Sequence, residues 1–289
     1  MYKYIICIYL IIFFIACNED FDFQNEEPSK LVVEGWIEAG GFPVVILTRS
    51  LPISSHYQQI GDFSEYVLRW AKVTVSDGID SVVLTGKYDK GYFPPYIYTT
   101  GRMRGVVGKR YSLTVEYKGY YASATTTIPS VPDKCSFKVE RCEDSDTLFQ
   151  INARFHDNPI EKNYYQFFTR VGSINKQFLA SYLGSINDEV LNEITEFPVY
   201  QGHHFDIEKY IPYYTIHDTV SVKFAQVDET SFRIWDSYIK TLSLSGNMFL
   251  STSTDMVTNI IGGYGYWCGY GALTNHIIIQ DSIKENIVR

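Results

Sequence analysis

Cys17 is the residue whose chemistry its neighbours specify most closely. Lys3 supplies a positive charge, an apolar run follows from Tyr4 to Phe14, and Ile15-Ala16 precedes the cysteine. An apolar core of roughly a dozen residues falls short of the ~20 that span a bilayer. A small residue before the break fits a cleavage site. Residues 1–16 therefore read as a signal peptide, after which the Cys17 thiol takes lipid and becomes the new N-terminus. Phe14 stands where leucine is usual in this pattern, a mild departure.

The other reactive side chains form no local constellation. His203 and His204 are adjacent, so on a strand they face opposite sides, and nothing nearby completes a set of ligands at metal spacing. His56, His156, His217 and His276 stand alone. No nucleophile elbow, metalloprotease helix or calcium loop is present, although a triad or carboxylate pair assembled from distant loops leaves no such trace. The run Gly262-Gly263-Tyr264-Gly265-Tyr266-Trp267-Cys268-Gly269-Tyr270-Gly271 lacks the lysine of a phosphate loop and the helix of a dinucleotide fingerprint. Glycines alternating with aromatics suit close backbone approach within a strand. No catalytic residue, cofactor site or metal site is assigned. Cys7 leaves with the signal, and Cys135, Cys142 and Cys268 remain. On one strand Cys135 and Cys142 would sit roughly 23 Å apart at ~3.3 Å per residue, too far for a bridge, whereas a pairing with Cys268 stays open.

What must position such residues is a β scaffold. With 24 Tyr, 18 Phe and 4 Trp, 16% of the chain is aromatic, which favours pleated, half-buried surfaces and an all-β protein. Aromatic faces would also suit a carbohydrate platform. The chain carries 25 Lys+Arg against 33 Asp+Glu, and this acidity argues against a nucleic-acid partner, which needs a basic stripe.

Residues 17–30 read as an acidic tether with no apolar period. Leu31, Val33 and Ile37 alternate with Glu34 and Glu38, and Gly40-Gly41 turns the strand back. Tyr111, Leu113, Val115 and Tyr117 mark the clearest strand, answered by Ala122, Ala124, Thr126 and Ile128. Short strands with regular turns predict one β-sandwich over 31–129 and a second over 134–289. In the second, Phe149, Ile151, Ala153 and Phe155 share one face. Gly172 to His217 reads as an elaborated connection with a short helix around Asp188 to Ile194. An amphipathic helix is expected over Glu229 to Ser245, capped by Asp228 or Thr230 and ended by Gly246. Its stripe of Phe232, Trp235, Ile239 and Leu242 is expected to cover the second sandwich.

Several phrases in order resemble one family: Leu31 to Ile37, Val45 to Ser50, Ala71 to Gly78, Gly108 to Val115, Thr125 to Pro129, Asn163 to Tyr165 and Asn259 to Gly271. The chain resembles the Bacteroidetes-type outer-membrane lipoproteins described as a domain of unknown function, often encoded beside TonB-dependent transporters. The resemblance implies immunoglobulin-like or carboxypeptidase-regulatory-like sandwiches, a lipid anchor in the outer membrane, and an accessory role to a transporter, with no catalytic residues to carry over. It also gives Glu19 and Asp20 a meaning, as an export signal to the outer face. Contacts with substrate or transporter would then come from Ser50 to Tyr66, Tyr92 to Tyr98 and Gly172 to His217. A surface hydrolase of glycans or peptides and a structural or adhesive module are the alternative readings.

Overall fold

In the computed structural model, residues 30–50, 64–157, 162–187, 194–202, 210–245 and 256–280 are described. The first half supplies β1 (Leu31–Glu38), β2 (Val44–Arg49), β3 (Lys72–Ser76), β4 (Ser81–Val83), β5 (Thr85–Tyr88), β6 (Tyr96–Thr99), β7 (Arg110–Tyr117) and β8 (Tyr120–Thr127). The second supplies β9 (Cys135–Arg141), β10 (Leu148–His156), β11 (Tyr164–Val171), β12 (Leu179–Asn187), β13 (Ile194–Val199) and β14 (Tyr214–Thr215). It ends with β15 (Thr219–Val227), the helix α1 (Glu229–Ser245) and β16 (Tyr264–Ile278). The fold is all-β, with one helix among the described residues.

Period-two patterning fixes which faces are buried. Leu31, Val33, Gly35 and Ile37 of β1 are buried while Val32, Glu34, Trp36 and Glu38 are half-buried. Tyr111, Leu113 and Val115 of β7 are buried, and Lys118-Gly119 closes the hairpin to β8 with both residues at positive φ, 44° and 88°. A two-residue turn of that conformation matches the twist of the strands that it joins.

The main sheet runs β12-β11-β15-β16-β1-β2-β6-β5, and β16 holds it together. From Tyr264 to Tyr270 this strand lies parallel to β1; from Gly271 to Ile278 it lies antiparallel to β15. Two smaller sheets complete the fold: β4-β3-β7-β8, and β10 flanked by β9 on one side and by β13 and β14 on the other.

Odd-numbered residues of β16 face inward. Trp267 joins a first core with Val33, Val45, Leu47, Val73, Leu113 and Ala124. Ile277 joins a second core with Phe137, Ile151, Phe155, Phe167 and Phe224, in which Phe167 and Phe224 stack at 4.7 Å. Each such burial stabilises by about 1.5–3 kcal/mol.

Between the two cores the chain leaving β8 passes against β16. A Cβ on Gly269 would lie 2.6 Å from the Thr127 carbonyl oxygen, and one on Gly271 would collide with the carbonyls of Pro129 and Ser130. The alternation of glycine and aromatic residues follows: backbone approaches on the odd face, while Tyr264, Tyr266, Cys268 and Tyr270 point to the other.

That outer face carries α1. Asp228 Oδ1 accepts the Ser231 N–H at 2.7 Å, so of the two caps that the sequence offers, Asp228 and Thr230, it is Asp228 that caps the helix. Phe232, Trp235 and Tyr238 pack on Tyr164, Phe168, Tyr266, Cys268 and Tyr270, with Trp235 5.1 Å from Phe168 and 4.8 Å from Tyr266 between ring centroids. The helix thus covers the outside of the main sheet across β12, β11 and β16. The Leu242 side chain and Gly246 lie outside the described residues, as do 188–193 of the expected short helix; Ile194 opens β13. The stretch read as an elaborated connection also contains β12 and β14.

Candidate functional site

Beyond the end of α1's footprint, two loops meet over the outer face. The first, 89–95, joins β5 to β6 and contains Pro94 and Pro95, which have no N–H to give a ladder. The second, 172–178, joins β11 to β12. Lys176 N–H donates to the Gly91 carbonyl at 2.8 Å, and Gln177 Oε1 accepts the Phe93 N–H at 3.0 Å. Lys176 Nζ also bonds both carboxylate oxygens of Asp89, at 2.9 and 3.2 Å. That hydrogen bond, with the Gly91 N–H and Lys87 assisting, holds the Asp89 carboxyl below its ordinary range. Two segments expected to carry contacts, Tyr92 to Tyr98 and Gly172 to His217, are therefore brought together. In the third, Ser50 to Tyr66, residues 51–63 lie outside the described residues.

The loops bring Tyr92 and Phe178 onto a charged patch of the sheet. Lys223, on β15, is 5% exposed and donates to Glu38 Oε1 at the end of β1. Burial pulls the Lys223 pKa down, and Glu38 partly opposes this. The ammonium lies 4.1 Å from the Phe178 ring centroid, and the Arg170 guanidinium 4.7 Å from it. Tyr92 stands 6.2 Å from Trp36 and is pushed up by its own burial and by the nearby Asp89 and Glu38 carboxylates.

Neighbouring strands extend this patch in a row. Register places Arg170 of β11 beside Ser221 of β15, and Ser221 beside His276 of β16. Arg170 Nη2 donates to Ser221 Oγ at 3.0 Å, and Ser221 Oγ is 2.9 Å from His276 Nδ1. The Ser221 oxygen has two lone pairs and one proton, so beside the Arg170 bond it either donates to Nδ1 or accepts from an Nδ1–H, according to the imidazole tautomer. A serine beside a histidine is the beginning of a nucleophile and base. Ser221 is only 3% exposed, so its oxygen links Arg170 to His276 and is not presented to solvent.

A second unusual carboxyl lies under α1. Glu34 is half-buried on β1, paired in register with Tyr266 and Ile46 and close to Tyr238. Among the described residues no ion pair offsets its burial, which pushes its pKa up to about 7. Tyr238 is pushed to about 12 and Tyr266 well above its ordinary value, both chiefly by burial.

A third group lies in the 172–217 stretch: Tyr182, Tyr200, Tyr210 and Tyr213 meet edge to face at 6.0–6.3 Å. Tyr210 also donates to the Gln201 carbonyl at 2.7 Å.

The predicted site residues Cys17, Glu19 and Asp20 lie outside the described residues, as do His203 and His204. Cys135, Cys142 and Cys268 are free thiols; Cys135 sits in the second core and Cys268 beneath α1, and burial pushes both up to about 12. No group of three or more His, Cys, Asp and Glu among the described residues is placed to hold a metal ion. No helix among them is long and apolar enough to cross a membrane. Reading the sequence alone missed Arg170 and Lys223. The signal was present in both strands: Arg170 closes Tyr-Tyr-Gln-Phe-Phe-Thr-Arg and Lys223 interrupts Thr-Val-Ser-Val-Lys-Phe-Ala, each the one charged residue in a largely buried run.

No curated protein matches the chain. Residues 18–275 match a family described as Domain of unknown function (DUF4249). The match covers both cores, the helix and nearly the whole of β16, and the chain belongs to the DUF4249 family.

Proposed function

We propose that the protein is an outer-membrane lipoprotein, anchored by acyl chains on Cys17 and facing the cell exterior, that assists a TonB-dependent transporter by binding its substrate or the transporter itself. The observation that carries this reading is the N-terminal order of Lys3, an apolar run too short to span a bilayer, Ala16 and Cys17. Attachment of more than one acyl chain gives stable anchoring where a single chain is marginal. Glu19 and Asp20 support the outward orientation, and the resemblance of the ordered phrases from Leu31 to Gly271 supports the transporter. On the folded part, the meeting of loops 89–95 and 172–178 supplies a surface for contact, with aromatic rings over paired charges.

The test is a pull-down of the tagged protein, expressed from its own promoter, out of detergent-solubilised native membranes. A TonB-dependent transporter should be recovered with it. Recovery of the protein without any transporter overturns the accessory reading.

A further inference from the structure

One end of the first core carries a set of exposed rings and cations. β1 starts there at Leu31, opposite Arg49 at the end of β2, and Val32 lies beside the Tyr264 that opens β16. The facing sheet ends at the same level. Leu68 N–H bonds the Leu47 carbonyl, Lys72 pairs with Glu116 just before the Lys118-Gly119 turn, and Ile261 bridges to Ser123 near the start of β8. Trp70 is 88% exposed and Ile261 74%, and Tyr120, Tyr121 and Tyr264 are exposed as well. Large apolar side chains gathered at one end mark a surface that meets something less polar than water.

Trp70 is held outward from within. Its φ is 68°, a conformation that bulky residues rarely adopt. The buried Tyr98 hydroxyl fixes both flanks, donating to the Leu68 carbonyl at 2.8 Å and accepting the Ala71 N–H at 3.0 Å. Backbone strain that the core maintains is a mark of function.

Cations accompany the rings. Arg69 lies 5.6 Å from the Tyr96 ring centroid, Arg49 4.7 Å from that of Tyr66, Lys118 5.4 Å from that of Tyr117 and Lys30 4.8 Å from that of Tyr264. Lys72 and Glu116 offset each other. Among the described residues at this end these four cations then face Glu65, a local charge of +3 (four minus one) on a chain of net -8. Aromatic rings flanked by Lys and Arg suit a membrane–water interface, where the ring sits at headgroup depth and the cation meets phosphate.

The start of the chain identifies the occupant. Residues 18–29 join Cys17 to Lys30, and at full extension they reach at most about 45 Å. Acyl chains on Cys17 are thus attached to the fold at this end.

We propose that this end of the first core lies on the membrane that holds the anchor, with Trp70, Ile261 and Tyr121 at the headgroup boundary and Arg49, Arg69 and Lys118 against anionic phosphates. The proposal rests on the lipid-anchor reading and deepens it: the protein is oriented on the lipid surface and does not merely hang from it.

The experiment reconstitutes the full protein, purified from its native cells, into phosphatidylcholine–phosphatidylglycerol vesicles with and without acyl chains brominated near the headgroup. Flotation with the vesicles reads the anchor. The emission lost in Trp70→Phe separates Trp70 from Trp36, Trp235 and Trp267. Brominated lipid should quench about half of that component, as for a ring at interfacial depth. Val107→Trp in the Trp70→Phe background reports on the opposite end, where Gly105 bonds Gly40 beyond β1, and should not be quenched. If Trp70→Phe does not fold, Trp70→Gly suits the positive φ and replaces it. Arg69→Gln with Lys118→Gln should reduce the Trp70 quenching at least about twofold, and an unchanged value overturns the part given to charge. Failure to float overturns the anchor and this proposal with it. Flotation with Trp70 unquenched, or with Val107→Trp quenched as strongly, overturns the orientation alone. An unquenched Trp70 that is also shielded from acrylamide would assign the patch to residues 51–63 or to a second copy of the chain.

Discussion

The Trp267 indole N–H donates to the backbone carbonyl of Tyr111, 3.1 Å away and 156 residues earlier in the chain. This bond crosses the first core from the main sheet to the facing sheet, and the indole itself is fully buried. We expect Trp267→Ala to destabilise the protein by about 3–5 kcal/mol, the usual cost of emptying so large a site. Trp267→Phe should lose less, since it keeps most of the apolar contact while leaving the Tyr111 carbonyl without this donor. Urea midpoints of the two variants measure the difference, and an alanine variant as stable as the parent would show that this core is not held by β16.

Glu34 should make stability depend on pH near neutrality. In the folded protein its carboxyl keeps its proton up to about pH 7, whereas the unfolded chain releases it near the ordinary 4.5. Between these values the native state binds more protons, so stability is full below the window and falls as pH rises through it, by about 3 kcal/mol in all. Glu34→Gln should flatten that part of the profile. Denaturant unfolding at a series of pH values tests it; an equally steep fall in the variant would assign the effect elsewhere.

The Glu38–Lys223 pair predicts a rescue. Lys223→Met removes the cation and leaves a carboxylate that is 25% exposed without its partner. This should cost about 3 kcal/mol, near the low end for breaking a buried pair, because Glu38 keeps some water. Adding Glu38→Gln should recover a large part of that loss. A double-mutant cycle in which the two costs simply add would exclude coupling between the residues.

Two glycines make a matched comparison. At Gly269 an added Cβ would press on the Thr127 carbonyl oxygen at 2.6 Å, while at Gly101 it would meet nothing within 4 Å. Gly269→Ala is expected to lower stability by more than about 2 kcal/mol through backbone displacement, and Gly101→Ala to stay within about 0.5 kcal/mol. Thermal unfolding of both variants provides the readout.

For anchoring, Cys17→Ala should move the protein from the membrane fraction to the soluble fraction. Neutralising Glu19 and Asp20 together should leave it membrane-bound but protected from protease added to intact cells. Continued shaving of that variant would remove the export role from the acidic pair.

Much of the strand pattern was legible because local alternation decides it: Tyr111, Leu113 and Val115 are buried together, as are Phe149, Ile151, Ala153 and Phe155. The limits of α1 and its Asp228 cap were legible for the same reason, since cap and stripe are both local signals. What local patterning could not carry was pairing at a distance. The parallel match of β1 with β16 joins residues more than two hundred positions apart, and no turn announces it. Within 172–217, Leu183 at positive φ and the register shift of β11 between Gln166 and Phe168 blur the alternation that would have revealed β12. The site was hidden by the same cause: Arg170, Ser221 and His276 become neighbours only once three strands are in register.

Because β16 lines both cores, the order of synthesis and the order of assembly diverge. Val33 emerges early, but the neighbour that completes its sheet, Gly265, follows only after the second core's strands and the helix have been made. The first half of the chain must therefore wait, incomplete, for the last strand to arrive. A chain cut after residue 129 should be a poor folder however well its own strands alternate.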